Sequence, residues 1–248
     1  MPLLAQRVVI IGATSGLGWE MAHLFLQAGC RLGIAGRRND RLEALQQTAP
    51  DRIVIQPMDI TTPQAPQLIL DLIGQLGGMD ILVLTAGVGW QNTDLILATE
   101  ELTGQTNTLG FMRVVNTAFN YFRQHQQPGH IAVISSIAGT QGLGVAPAYS
   151  ATKKFQSTYL DALDQLARME KRPIRFTDIR PGFVATDMLN GTHHYPMMLQ
   201  APKVARLVVR AIAHKKRVAI LDYRYALLVF LWRLVPRWLW VRLPIRSH

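Results

Sequence analysis

The fold is decided near the N-terminus by the stretch Arg7-Val8-Val9-Ile10-Ile11-Gly12-Ala13-Thr14-Ser15-Gly16-Leu17-Gly18. A β-branched run that ends in closely spaced glycines and continues into a helix predicts a strand–turn–helix unit. Glycines at such a turn permit positive φ, and they let backbone N–H groups approach a pyrophosphate at the helix N-terminus. We expect a dinucleotide to contact Gly12, Thr14, Ser15, Gly16, Leu17 and Gly18. The spacing G-x-x-x-G-x-G departs from the commoner G-x-G-x-x-G, so a glycine-rich turn without a ligand is the alternative.

The rest of the first two hundred residues alternates short apolar runs with helical stretches, which predicts a parallel sheet covered on both faces. We predict strands at Arg7–Ile11, Arg31–Ala35, Ile53–Gln56, Asp80–Leu84, His130–Ser135, Ile174–Asp178 and Arg217–Leu221. We predict helices at Leu17–Gln27, Asp40–Gln47, Pro66–Gln75, Glu100–His125, Pro147–Glu170 and Pro202–His214. The fold class is therefore α/β, a single Rossmann-like doubly wound sheet of about seven strands. Ligands of such sheets bind at the carboxyl ends of the strands.

The residues after the second predicted strand indicate which dinucleotide is bound. A site that prefers NAD offers an acid there to the ribose hydroxyls, but the sequence has Arg37 and Arg38. Guanidinium groups suit a 2′-phosphate, so NADP(H) is favoured, with Arg37 the stronger candidate and Ser15 assisting. The alternative is a solvated arginine pair that opens the next helix.

Two further loops carry candidate cofactor contacts. Asp59, after the third strand, could accept a hydrogen bond from the adenine amino group, with Ile60 beside the ring. Ala86 and Gly87, after the fourth strand, are small enough for the backbone to pass close to the cofactor. Either pair could equally consist of ordinary loop residues that do not contact a cofactor.

Candidate catalytic residues lie in the run Ala148-Tyr149-Ser150-Ala151-Thr152-Lys153. Positions i and i+4 share a helix face, so Tyr149 and Lys153 can point into one site. A nearby cation favours the phenolate and would lower the pKa of Tyr149 from its usual value of roughly 10. Ser136 closes a strand upstream of this pair. A solvated helix turn that happens to carry both residues is the alternative.

Taken together, these motifs resemble the short-chain dehydrogenase/reductase family over roughly residues 5–222. The matching positions are Gly12, Gly16, Gly18, Ala86, Gly87, Asn107, Ser136, Tyr149, Lys153, Pro181, Gly182 and Thr186. Two departures occur: Ile11 stands where the family usually has Thr, and Leu84-Thr85 where it usually has two Asn. Both usual residues are mainly structural, so the departures bear on local hydrogen bonding more than on chemistry.

The resemblance implies hydride transfer between a nicotinamide and a carbonyl or alcohol carbon. It makes Tyr149 the proton donor, while Lys153 lowers the pKa of Tyr149 and holds the nicotinamide ribose. Ser136 binds the substrate oxygen, and Asn107 holds a water that relays protons to the lysine. Pro181, Gly182 and Thr186 would contact the nicotinamide.

The family uses the stretch Asp187–Gln200 as a lid over the substrate. Its methionines, among them Met188, suit an irregular apolar ligand, and Trp90 and Leu143 should line the same cleft. We therefore expect an apolar ketone, aldehyde, steroid-like or acyl substrate, although these residues could simply pack the lid shut. His193-His194 has no further ligand at metal spacing, so we expect no metal.

Length and composition indicate the number of domains and the cellular compartment. The chain has 248 residues, which suits one large α/β domain, and the single Cys30 excludes an internal disulfide and suggests a reducing compartment. The predicted strand at Arg7 leaves no room for a cleaved signal peptide. We expect a cytoplasmic protein, and the resemblance suggests a homodimer or homotetramer through the two long helices.

The net charge of +10 is concentrated in the last fifth of the chain. Residues 1–200 hold fifteen Lys/Arg and fifteen Asp/Glu, whereas residues 201–248 hold eleven Lys/Arg and the single acid Asp222. We assign residues 1–222 to the catalytic domain and residues 223–248 to a basic, Trp-rich extension that is not a separate domain. Its longest uncharged run, Tyr225–Trp232, is too short to span a membrane.

Tryptophans among arginines suit the headgroup region of an anionic membrane. We therefore expect residues 223–248 to bind a membrane surface, which would make the protein peripheral on the inner face. The alternative is a helix that docks on the domain or on a sister subunit. Nucleic acid is disfavoured because the segment is too apolar.

The sequence thus predicts an NADPH-dependent oxidoreductase that interconverts a carbonyl and an alcohol on an apolar substrate. The alternatives are a non-catalytic NADP(H)-binding regulator or scaffold, and an epimerase or dehydratase on the same fold.

Overall fold

The strands form one large parallel sheet and one small two-stranded sheet in a computed structural model, which describes residues 3–186 and 197–245. The strands are β1 (Arg7–Ile11), β2 (Arg31–Gly36), β3 (Ile53–Pro57), β4 (Ile81–Leu84), β5 (Gly129–Ile134), β6 (Ile174–Arg180), β7 (Val184–Ala185), β8 (Leu199–Gln200) and β9 (Val218–Ile220). The large sheet has the order β3-β2-β1-β4-β5-β6-β9. The predicted doubly wound sheet of seven parallel strands is confirmed.

Helices cover both faces of this sheet. They are α1 (Gly16–Gln27), α2 (Asn39–Gln47), α3 (Ala65–Leu76), α4 (Leu97–Gly104), α5 (Phe111–His125), α6 (Pro147–Met169), α7 (Ala201–Ala213), α8 (Tyr223–Leu234) and α9 (Arg237–Trp240). Residues of α1, α2, α7 and α8 share one buried apolar cluster, and residues of α3, α5 and α6 share the other. The strands between them are almost fully buried, which is why they read as continuous apolar runs.

The helix predicted over Glu100–His125 is not uniform. It begins earlier, at Leu97, and a π-helical segment, Gln105–Gly110, separates α4 from α5. Such segments insert an extra residue into a helical turn and are frequent at functional sites. Here the π-helical segment carries Asn107, whose side chain is fully buried.

The order of the strands determines where a ligand can bind. The chain moves outward from β1 to β3 and then crosses to the other side of β1 to form β4. A crevice opens at such a switch point, outside the carboxyl ends of β1 and β4. The loops that follow β1, β4 and β5 therefore converge on one edge of the sheet.

The C-terminal segment begins with a helix that packs against the domain. In α8, Tyr225 and Val229 are buried and belong to the core, so this part of the predicted extension lies within the packed fold. Asp222 caps the helix by accepting a hydrogen bond from Arg224 N at 3.1 Å. None of the described helices is long and apolar enough to cross a membrane.

Candidate active site

The glycine turn after β1 is built by close backbone approach. Gly12 has φ of +100°, and a β-carbon on Gly18 would lie 2.1 Å from the Gly12 carbonyl oxygen. No side chain caps the following helix at Ser15, and its first turn carries no acid. The N-terminus of α1 therefore presents unpaired N–H groups and the positive end of its dipole, which suits a phosphate group.

Thr85 stands at one of the positions where the chain departs from the family pattern, and it hydrogen-bonds the glycine turn. Its hydroxyl donates to the carbonyl oxygens of Gly12 at 2.8 Å and Ile11 at 3.1 Å. Its backbone N–H also donates to Ile11 O at 2.8 Å. These bonds tie the end of β4 to the glycine turn, so the replacement of the usual asparagine leaves the turn braced.

The two arginines after β2 differ in their contacts. Arg38 donates from its guanidinium to the carbonyl oxygen of Thr14 at 3.0 Å and lies beside the Thr14 hydroxyl. Arg37 is exposed, and its guanidinium makes no hydrogen bond or ion pair with any part of the chain that the structure describes. Arg38 is thus attached to the glycine turn, whereas the exposed guanidinium of Arg37, just after β2, is available to donate to a phosphate.

The remaining candidate cofactor contacts lie along the same edge of the sheet. Asp59 accepts from the backbone N–H and the hydroxyl of Thr61, both at 2.8 Å to the same oxygen. Ile60 is buried against Gly110, so its contact with an adenine ring stays a prediction. At Gly87, a β-carbon would lie 3.2 Å from Asn107 Oδ1 and 3.5 Å from Lys153 Nζ.

Ser136, Tyr149 and Lys153 are brought together at the carboxyl end of β5. Ser136 follows β5 and accepts a hydrogen bond from Ala138 N at 3.1 Å, which fixes its side chain. Tyr149 and Lys153 share a face of α6, with Lys153 Nζ 5.7 Å from the centre of the Tyr149 ring. Gly139 holds the two elements together, since a β-carbon there would lie 2.7 Å from the Lys153 carbonyl carbon.

The expectation that Lys153 lowers the pKa of Tyr149 is wrong for this arrangement. Burial raises the pKa of Tyr149, and a hydrogen bond with Ser136 only partly opposes that rise. The ammonium of Lys153 lies near the ring of Tyr149, but it donates its hydrogen bonds to Ile134 O and to the Gln156 side chain, each at 3.1 Å. The phenol thus keeps its proton, as a proton donor must.

Lys153 is itself strongly perturbed. Burial lowers its pKa from 10.5 to about 8, and the negative charge of Asp178 partly opposes that fall. Asp178 is buried at the end of β6, where it accepts from Arg180 Nε at 2.8 Å and from the Ser135 hydroxyl. A cation of such pKa can exchange its proton near neutral pH, which is the property expected of a group in a proton relay.

Asn107 lies behind Lys153, but its side chain bonds to protein groups. Its amide accepts from Val88 N at 2.9 Å and donates to Val88 O at 2.7 Å and to Thr152 Oγ1 at 3.2 Å. Its backbone carbonyl accepts from Gln156 Nε2 at 2.9 Å. Gln156 therefore links the π-helical segment to the Lys153 ammonium, a role we did not predict, although its i+3 spacing from Lys153 was visible in the sequence.

The loop after β6 joins the catalytic edge to the glycine turn. Pro181 O accepts from Ile137 N at 3.1 Å, beside Ser136. Gly182 lies against the Tyr225 ring, which leaves no room for a side chain there. Thr186 covers the turn, since a β-carbon on Gly16 would lie 3.1 Å from its methyl group.

Of the predicted substrate contacts, Trp90 is 45% exposed and Leu143 is partly buried. Gly89, next to Trp90, lies against the Tyr149 ring, because a β-carbon there would lie 2.4 Å from it. The Trp90 loop therefore runs directly past the Tyr149 ring. Met188 and the paired histidines lie outside the described residues. Within residues 3–186 and 197–245, no group of three or more His, Cys, Asp or Glu could hold a metal ion.

Comparison with known proteins identifies the family. Residues 6–195 match the model of the short chain dehydrogenase family. An uncharacterized oxidoreductase of Mycobacterium tuberculosis is 31% identical over 251 residues, covering 94% of this chain and 95% of the relative. Dehydrogenase/reductase SDR family member 7B of Bos taurus is 31% identical over 254 residues, covering 92% of this chain and 77% of the relative.

A solved structure shares the same fold. A short chain dehydrogenase from Burkholderia cenocepacia, crystallised in complex with NADP, superposes with a TM-score of 0.84 at 17% identity and covers 99% of this chain and 100% of its own. The chain belongs to the short-chain dehydrogenase/reductase family, a family of oxidoreductases.

Proposed function

We propose that the protein is an NADPH-dependent oxidoreductase that interconverts a carbonyl and an alcohol on an apolar substrate. One observation carries the proposal: a buried lysine of lowered pKa, a protonated tyrosine and a fixed serine lie together beside the glycine turn. A non-catalytic binder would have no use for a buried cation in that position, because burying a charge is costly.

The residues at the turn fit a phosphorylated dinucleotide. The uncapped N-terminus of α1 would hold the diphosphate, and the close approach at Gly12 and Gly18 leaves the backbone accessible to it. The guanidiniums of Arg37 and Arg38, with no acid at the end of β2, would bind a 2′-phosphate. The NADP in the Burkholderia structure is consistent with this cofactor.

When bound, the cofactor supplies a hydride from its nicotinamide ring. The Tyr149 hydroxyl then donates its proton to the oxygen of the reduced carbonyl. Ser136 hydrogen-bonds the same oxygen while charge develops on it. Lys153, whose ammonium is held in place by Gln156, can then return a proton to the tyrosine, because burial lowers the pKa of Lys153 to about 8.

A groove next to the Trp90 loop, which itself passes the Tyr149 ring, supports an apolar substrate. A groove of about 710 Å³ lies beside the Gly89–Trp90 loop, and its lining is mostly apolar. It is lined by Gln91, Thr93, Gly142, Gly144, Val145, Trp240, Val241, Leu243, Pro244 and Ile245. None of the described residues that line the groove is charged, so a charged substrate such as a sugar phosphate would find no partner among them.

An absorbance screen with NADPH and NADH tests the proposal against its alternatives. Aliphatic, aromatic, steroid and acyl-chain carbonyls should be reduced, with NADPH consumed in proportion to alcohol formed and preferred over NADH. Cofactor binding without consumption across the panel would favour a regulator. Substrate conversion without net consumption of NADPH would favour an epimerase or dehydratase.

A further inference from the structure

The segment α8–α9 has one face that packs on the domain. Tyr225 donates to Met197 O at 3.0 Å and accepts from Phe183 N at 3.1 Å, so it ties α8 to the loop after β6. Trp240 donates from its indole to Gly142 O at 2.8 Å, and Gln141 donates to Trp232 O at 3.2 Å. The orientation of the segment relative to the active site is therefore defined.

The opposite face of the same segment is apolar and exposed. We call it the outer face, and its exposed apolar side chains are Tyr223, Leu227, Phe230, Leu231, Leu234, Trp238, Leu239, Val241 and Leu243. Several of them are more than half exposed, including Phe230 at 59% and Trp238 at 62%. On α8 the exposed residues follow the i, i+4 spacing of one helix face, and an exposed apolar face of this kind marks an interaction surface.

The charges around the outer face indicate what covers it. Arg233, Arg237 and Arg242 are exposed within it, and Arg242 lies over the Trp238 ring at 5.7 Å. The acid of the segment, Asp222, is already engaged by Arg224. Residues 223–245 contain no Asp or Glu, so the described part of the segment presents cations and apolar groups without a carboxylate of its own to complement them.

We propose that the outer face of α8–α9 docks on a membrane surface that contains anionic lipid. Apolar side chains enter the boundary between headgroups and acyl chains, while arginines bind the lipid phosphates. A second copy of this chain fits less well, because a two-fold contact would bring the same arginines together. The helices lie on the surface, in keeping with their short length.

Docking in this orientation also places the apolar groove beside the Trp90 loop at the lipid. Trp240, Val241 and Leu243 form one wall of the groove, and Val241 and Leu243 belong at the same time to the outer face. A carbonyl compound dissolved in the bilayer could enter the groove along these residues without crossing water. Entry of a substrate from the bilayer rests on the proposed function, whereas the docking on the membrane does not.

Flotation of the full-length protein tests the docking without measuring activity. Vesicles of phosphatidylcholine alone are compared with vesicles of equal parts phosphatidylcholine and phosphatidylserine. We expect flotation with the anionic vesicles, weakened by high salt. Each of Arg233→Gln and Arg237→Gln should lower the vesicle partition coefficient about fivefold. Trp238→Ser should lower it further still.

A matched control lies elsewhere on the surface. Leu97, at the start of α4, is 67% exposed, so Leu97→Ser should leave flotation unchanged. Circular dichroism and NADPH binding show whether each variant is folded. The proposal fails if the wild type floats with neither vesicle, or if Trp238→Ser floats like the wild type. It also fails if Trp238→Ser converts a dimer to a monomer in light scattering while vesicle binding persists.

Discussion

Replacing Gln156 by leucine removes a hydrogen-bond acceptor from the Lys153 ammonium without adding charge. The Gln156 oxygen accepts from Lys153 Nζ at 3.1 Å, and its amide donates to Asn107 O at 2.9 Å. After the substitution, the ammonium keeps Ile134 O as an acceptor but loses the one on its own helix. The charged form of Lys153 is therefore less stable, and its pKa should fall.

The size of the fall follows from the strength of the lost bond. A hydrogen bond to a charged group contributes about 1.5–3 kcal/mol, which corresponds to roughly one to two pH units. The pKa of Lys153, already lowered by burial to about 8, should therefore move to neutrality or below. Asp178 and Tyr149, the other ionisable groups that interact with this site, are unchanged in the variant.

The assay is the pH dependence of kcat/KM for carbonyl reduction at saturating NADPH. Reduction requires the ammonium, so activity falls as pH rises through the pKa of Lys153, and this alkaline limb should shift to lower pH in Gln156→Leu. Gln156→Glu is the matched control, since its carboxylate should move the limb to higher pH. Coincident limbs in all three proteins would refute the role assigned to Gln156.

Three further predictions test the cofactor site and the core. Arg37→Ala should raise KM for NADPH roughly tenfold to a hundredfold and leave KM for NADH unchanged, because a charge-assisted bond to the 2′-phosphate is lost; equal effects on both cofactors would contradict this. Gly18→Ala should abolish cofactor binding, because the β-carbon of the new alanine would collide with the carbonyl oxygen of Gly12. Gly74→Ala is the control in the same binding assay and should be tolerated, because the space around Gly74 is open. Burial lowers the pKa of His130 from 6.5 to about 4, so the folded state resists protonation of this side chain. The free energy of unfolding should therefore fall by about 3 kcal/mol as the pH drops from 6.5 to about 4. Denaturant unfolding of His130→Gln should lack this loss, and an equal loss in the variant would count against it.

The sheet was predictable because its strands are nearly fully buried and so stand out as short apolar runs. The glycine turn was predictable for a related reason, since close backbone approach at Gly12 and Gly18 demands glycine. The i, i+4 spacing likewise placed Tyr149 and Lys153 on one helix face. These features are local, and local patterns are what a single sequence carries.

The parts that escaped prediction depend on contacts between distant segments. The π-helical segment around Asn107 follows from tertiary packing, and helix periodicity alone does not show it. The pKa of Tyr149 is raised because the phenol is buried, and that burial depends on how distant segments pack around α6. From the sequence, Tyr225 belongs to an apolar C-terminal extension. In the structure its ring packs directly against Gly182, where there is no room for a side chain.

Two expectations stay predictions. Assembly into a dimer or tetramer through α5 and α6 would use helix faces that a sizing experiment can test with the intact protein. The role of Met188 in a substrate lid concerns a stretch outside the described residues. Substitution of Met188 by serine and measurement of KM for an apolar carbonyl would address it.

The central claim is that Tyr149 donates the proton in an NADPH-dependent reduction. Its most direct test is single-turnover reduction of an apolar carbonyl by the wild type and by Tyr149→Phe, each preloaded with NADPH. We expect Tyr149→Phe to bind NADPH as the wild type does, yet to lose at least a hundredfold in the rate of NADPH oxidation, within the roughly 10²–10⁴-fold range of general acid catalysis. Comparable rates in the two proteins would contradict it.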